Sequence, residues 1–117
     1  MNIEDLRDYC MSKKGTTEEF PFDETTLVFK VMGRMYVLTD LESEFAINLK
    51  CDPDKAVELR EQYASITPAF HMNKTHWATI RINGTLSDAQ LQKWIDESYQ
   101  LVAAKLTRKQ KEELNNL

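Results

Sequence analysis

Apolar residues recur along this chain with two spacings, and the spacings predict its elements. Ile3, Leu6 and Cys10 fall three and four apart, one face of an α-helix. That helix is expected from Ile3 to about Lys13, capped by Asn2, with Glu4, Asp5 and Asp8 where the helix dipole favours negative charge, and ended by Gly15. A connector follows, TTEEFPFDE; Phe20 and Phe22 on either side of Pro21 are expected to pin it onto the core. The spacing then shifts to two. Strands are predicted over Thr26–Val31, Met35–Asp40 and Phe45–Lys50, the last alternating cleanly with Phe45, Ile47 and Leu49 inward. Gly33-Arg34 is read as the centre of a type II′ turn, a register that sets Phe29 opposite Leu38 and puts Val28, Lys30 and Val37 on the other face.

Asp52 before Pro53 is a strong helix start, with Ala56, Leu59 and Tyr63 on the buried side. After a loop containing Pro68, His76–Ile82 reads as a strand ended by Asn83-Gly84, with Trp77, Thr79 and Arg81 on the face opposite Ala78 and Ile80. Ser87 and Gln90 have capping-box spacing and open a long helix to about Leu106, striped by Leu91, Trp94, Ile95, Leu101, Val102 and Leu106. TRKQKEELNN, led by Thr107, is either a short further helix or a frayed end. The resulting order, α-β-β-β-α-β-α, lacks regular βαβ alternation. It predicts an α+β fold, a four-stranded, mostly antiparallel sheet packed against helices.

Composition narrows this picture. A chain of 117 residues, 42% hydrophobic and 29% charged, fits one folded domain over residues 1–117. The net charge of −4 argues against a generally basic, polyanion-coating protein. The charge is uneven, however: Met1–Arg60 carries 8 Lys/Arg against 13 Asp/Glu, whereas Gln62–Ser87, Thr25–Thr39 and Ser98–Lys111 contain no acid. Cys10 and Cys51 lie far apart without CxxC spacing. No apolar run reaches membrane-spanning length and no leader pattern opens the chain, so free thiols in a reducing cytoplasm are expected.

Candidate chemistry concentrates in HMNKTHW, residues His71–Trp77. As a metal site it offers two histidines and no third ligand nearby. As a catalytic site it would need Cys51 activated by His71 or His76, and no nucleophile motif or phosphate-cradling glycine loop accompanies it. As a nucleic-acid contact it offers Lys74 for a phosphate, Asn73 for a base edge or sugar, and Trp77 for stacking, with Arg81 further along the strand. The same residues also suit a purely structural role, Trp77 capping the second sheet face and His71 and Asn73 satisfying loop carbonyls.

FPFDETTLVFKVMGRMYVL, INLKCDP and TPAFHMNKTHWATI, followed by WIDESYQLVAAKL, resemble the MmcQ/YjbR family. The resemblance spans nearly the whole chain, and NLKCDP together with HMNKTHW is its specific part. It implies a small protein of helices and β-hairpins, frataxin-like in outline. For members of that family a DNA-binding role has been suggested from a "double-wing" shape. With this resemblance the expectation is a non-enzymatic, monomeric, cytoplasmic binding protein with no cofactor, no metal and no membrane contact. DNA is the candidate partner, and an adaptor for a protein partner is the alternative. The candidate contact surface is His71, Asn73, Lys74, Trp77 and Arg81, flanked by Lys30, Arg34 and Lys50. A protein partner would instead use an apolar second sheet face of Val28, Met32, Met35 and Val37.

Overall fold

The structure is a computed structural model that describes residues 1–69 and 72–117. The elements are α1 (Ile3–Met11), β1 (Thr16–Glu19), β2 (Thr26–Val31), β3 (Arg34–Asp40), β4 (Ala46–Lys50), α2 (Pro53–Gln62), β5 (Ile66–Pro68), β6 (Trp77–Arg81), α3 (Asp88–Ala103) and α4 (Arg108–Asn115). The class is α+β, but the expected four-stranded sheet and its α-β-β-β-α-β-α order are incorrect. The sheet has six strands in the order β1-β2-β3-β4-β6-β5, with neighbours antiparallel throughout.

The two additional strands form the sheet edges. β1, TTEE, has no apolar alternation to betray it; it is a strand because its backbone pairs with β2, Thr16 opposite Val31 and Glu19 opposite Val28. β5 is three residues ending in proline, which is tolerated because an edge strand has a side that donates to nothing. β4 and β5 run parallel to each other on either side of β6, and α2 carries the chain across.

The β2–β3 turn also departs from the expected register. Val31 faces Arg34, so Met32-Gly33 is the centre of the turn, with φ of 49° and 86°. Two positive φ values make this a type I′ turn rather than II′. A bulge follows, where Phe29 pairs with Val37 and Lys30 with Met35, leaving Tyr36 as the extra residue. Val37 therefore turns inward beside Phe29, opposite to the predicted face.

The two faces of the sheet differ in cover. Leu27, Phe29, Val31, Val37, Ile47, Leu49, Ile66, Ala78 and Ile80 join Leu6, Cys10, Leu91, Trp94, Ile95 and Val102 from the helices in one core. The opposite face carries Lys30, Met35, Asn48, Lys50, Trp77 and Thr79, each half-buried, and the exposed Arg81. All helices pack on the core side. α4 is ordered as a helix by a full capping box at Thr107 and by burial of Leu114.

Between α1 and α3 lies a phenol-rich contact. The Tyr36 hydroxyl donates to the Cys10 carbonyl at 3.2 Å and lies 2.9 Å from the Thr16 hydroxyl. Tyr9 donates to Asp96 at 2.6 Å, and Lys13 pairs with the same carboxylate. Burial, followed by the bond to Asp96, pushes the Tyr9 phenol from 10.0 to about 12. Burial likewise pushes the Cys10 thiol from 9.0 to about 12 and raises Tyr36 further still. The folded chain therefore keeps protons that the unfolded chain releases near pH 9–10. Stability is full below that range and is lost as pH rises towards 12. The melting temperature is expected to fall between pH 8 and pH 10.5, with a shallower fall in Tyr36→Phe; an unchanged melting temperature would refute this.

Candidate binding face

β6 and β4 are the strands that present the predicted contact residues. Because side chains alternate along a strand, burying Ala78 and Ile80 in the core turns Trp77, Thr79 and Arg81 to the uncovered face. Across the ladder, Lys50 is paired with Trp77, Asn48 with Thr79 and Ala46 with Arg81. The Thr79 hydroxyl donates to the Asn48 side-chain oxygen at 2.6 Å, tying the middle of the face together. Lys30 lies two strands away from Lys50, opposite Met35 on one side and Thr17 on the other.

The structure thus gathers Trp77, Lys50 and Lys30 at one end of the open face, with Arg34 at the start of β3 on the same end. Asn73 and Lys74 lie in the turn that feeds β6, both exposed. His71 lies outside the described residues. Arg81 does not join the group: it is four residues from Trp77, about 13 Å along the strand, at the opposite end. Lys30 is not a free cation either, because Glu19 lies 3.5 Å away. Among the described residues, Lys50, Arg34 and Arg81 form no ion pair.

Asn73 has a local task. Its side-chain oxygen accepts from the Thr75 N–H at 2.9 Å, and its carbonyl accepts from the N–H groups of His76 and Trp77. It builds the turn that delivers Trp77 to the face, and its side chain accepts from a loop N–H where the sequence predicts a bond to a loop carbonyl. Cys51 donates its N–H to the His76 carbonyl at 2.7 Å, so the β4 end and this turn are fixed to each other. The Cys51 thiol is pushed up to about 11, chiefly by burial. It stays protonated at neutral pH, the reverse of an activated nucleophile. Among the described residues no three His, Cys, Asp or Glu side chains converge on a metal-sized site, and no helix is long and apolar enough to cross a membrane.

The apolar second face expected for a protein partner is not an exposed patch. Val37 is in the core, Val28 is fully buried, and Met32 and Met35 are half-buried. Three of the exposed apolar groups lie at the other end of the sheet. Phe20 and Phe22, expected to pin their connector, are 49% and 63% exposed, and Leu41 is 46% exposed. The β1–β2 and β3–β4 loops that carry them are joined by a 2.8 Å bond from the Leu41 N–H to the Thr25 carbonyl. Around them stand Glu19, Asp23, Glu24, Asp40, Glu42 and Glu44, with no Lys or Arg in residues 19–24 or 40–45. The signal is present in the sequence as EFPFDE and DLESEF, two acidic frames around apolar residues, but only the sheet order makes them neighbours.

Comparison with known proteins agrees with the fold. The YjbR family model matches residues 11–101. The Escherichia coli K12 protein YjbR is 35% identical over 101 residues, covering 86% of each chain. YyaQ of Bacillus subtilis is 25% identical over 84% of this chain and 95% of its own. A crystal structure of a Deinococcus radiodurans protein with a DUF419 domain superposes with a TM-score of 0.91 at 40% identity, covering 97% of this chain and 88% of that one. A Pseudomonas syringae protein gives 0.76 at 29% identity, covering 87% and 99%.

Proposed function

This chain belongs to the YjbR family, and we propose that it is a non-enzymatic binding protein that engages single-stranded nucleic acid on the basic end of its open sheet face. The observation that carries the reading is the cross-strand pairing of Lys50 with Trp77. A cation and an aromatic ring side by side on an uncovered sheet supply the two contacts that sequence-tolerant strand binding uses, phosphate neutralisation and base stacking. Arg34 and Lys74 extend the positive edge, and Asn73 holds the turn. Arg81 is left out of this surface, since it lies at the opposite end of the strand from Trp77.

Single strands are favoured over duplex for an electrostatic reason. The two hairpins β1–β2 and β3–β4 would be the wings, and the six acids named above lie in their loops or at the strand ends beside them. A wing of that charge is repelled by a duplex backbone bearing one negative charge per about 1.7 Å. Two or three phosphate contacts at the basic end imply a modest salt dependence, a log–log slope of about −2 for a single strand.

The test is fluorescence anisotropy with a labelled oligothymidylate and a matched duplex at low salt. The single strand is expected to bind more tightly than the duplex. Trp77→Ala is expected to weaken it by about 5- to 100-fold, the value of one stacked base, and Lys50→Ala by a few-fold with a shallower salt slope. No binding of the oligothymidylate at low salt refutes the proposal, as does unchanged affinity in Trp77→Ala.

A further inference from the structure

The acidic end of the sheet is a second surface, and the strand-binding reading places no ligand contact on it. Phe22, Phe20 and Leu41 are among the exposed large apolar side chains of the described residues, and they come from two loops tied together by backbone. Exposed aromatics are a cost to a soluble protein unless something covers them.

The loops that present them are built, not slack. Asp23 accepts from the N–H groups of Thr25 and Thr26 at 2.9 and 2.6 Å. Asp40 accepts from the Glu42 N–H at 3.0 Å and from the Ser43 hydroxyl at 2.8 Å. These bonds hold both carboxyls below the usual carboxylate range, and Asp40 feels the charge of Asp23 across the gap between the loops. Two loops therefore display three apolar groups in segments that also carry the carboxylates of Asp23, Glu24, Asp40, Glu42 and Glu44, with no Lys or Arg in either segment.

We infer that this tip is a docking surface for a basic amphipathic helix of a partner protein. Phe20, Phe22 and Leu41 supply the apolar anchor points, and lysines or arginines flanking the helix's apolar stripe meet Asp23, Glu24, Asp40, Glu42 and Glu44. Helix-on-patch recognition needs apolar anchors on one face and matching charge at the rim, and the tip has both. Nucleic acid lacks the positive charge, so it does not match the rim.

The probe is a synthetic leucine–lysine peptide of amphipathic helical pattern, set against a scrambled peptide of identical composition, with binding read by calorimetry and by NMR shift mapping. The patterned peptide is expected to bind at least 10-fold more tightly than the scrambled one, with shifts confined to residues 19–25 and 40–46. Phe20→Ser/Phe22→Ser is expected to lose at least 10-fold in affinity, as is Glu42→Lys/Glu44→Lys. The control Glu112→Lys/Glu113→Lys, which reverses exposed acids on α4, is expected to change it less than twofold. Circular dichroism checks that each variant folds; both substituted phenylalanines are exposed, so the fold is expected to persist. Equal binding of the scrambled peptide, full affinity in the phenylalanine variant, or an equal loss in the α4 control overturns the inference. So does self-association that disappears in the phenylalanine variant, which would make a second copy the occupant. These outcomes are independent of whether oligothymidylate binds at the other end.

Discussion

Replacing Ser98 by alanine is expected to lower the stability of the fold by about 2–4 kcal/mol, more than a surface serine on a helix would cost. Ser98 is fully buried on α3. Its hydroxyl donates to the Tyr36 carbonyl at 2.6 Å and accepts from the Lys50 N–H at 2.9 Å. The reason lies in the sheet. The bulge at Tyr36 throws β3 out of register just where β4 ends, and the paired residues between these strands are Val37 with Leu49 and Leu38 with Asn48. Beyond Leu49 the backbone groups of the two strands no longer reach each other. The serine hydroxyl stands between them, one partner for each strand. Alanine leaves a buried carbonyl and a buried N–H unpaired, each costing about 1–3 kcal/mol. Urea unfolding should show a lower midpoint at unchanged slope; a loss below about 0.5 kcal/mol would mean that the bridge contributes nothing. Lys50 is also the residue beside Trp77, so the same hydroxyl holds the end of β4 that the binding face depends on.

Gly15→Ala is expected to cost about 2–3 kcal/mol, from two sources. Gly15 has φ of +69°, where any side chain costs about 1 kcal/mol or more. In addition, a Cβ built there would lie 2.7 Å from Leu114 Cδ1. Leu114 is the buried residue of α4, so the clash falls on the contact that seats the last helix against the α1–β1 corner. A double-mutant cycle separates the two sources: in the background of Leu114→Ala the glycine substitution should cost only the backbone part, about 1–2 kcal/mol. Full additivity would show that the two positions are not in conflict.

Much of the fold is legible in the residue pattern, for a common reason. The caps at Asn2, Asp52, Ser87 and Thr107 are local chemistry, a side-chain oxygen and a backbone N–H two or three residues on. The first three start helices as the sequence indicates, and at Thr107, where the sequence leaves helix or frayed end open, the helix forms. The strands β2, β3, β4 and β6 are marked by the alternation that burial on one face imposes. The unmarked strands, β1 and β5, are edges whose residues need no apolar alternation, because their membership rests on the backbone of a neighbour. The β2–β3 register is ambiguous in the sequence because Gly33 satisfies either turn type. What decides between them is the bulge at Tyr36, stabilised by Ser98 from an element 62 residues away in the chain.

The candidate surface divides in the same way. Trp77, Thr79 and Arg81 on one face follow from strand parity alone, and that Trp77 stands opposite Lys50 requires only the β4–β6 pairing. That Arg81 lies at the far end of the sheet from Lys30 and Arg34, and that Phe20 and Phe22 are exposed instead of pinned, is beyond the sequence. The order of bases and acids along a chain does not say which ends of which strands lie together. By itself the sequence determined where the main helices begin, which faces of β4 and β6 are apolar, and which residue types are available for contact, since these depend on neighbours a few positions apart. Only the tertiary structure decided the six-strand order and, with it, the separation of a basic, aromatic end from an acidic, aromatic tip. Antiparallel pairing brings residues far apart in sequence within about 5 Å of each other, and charge acts over that distance.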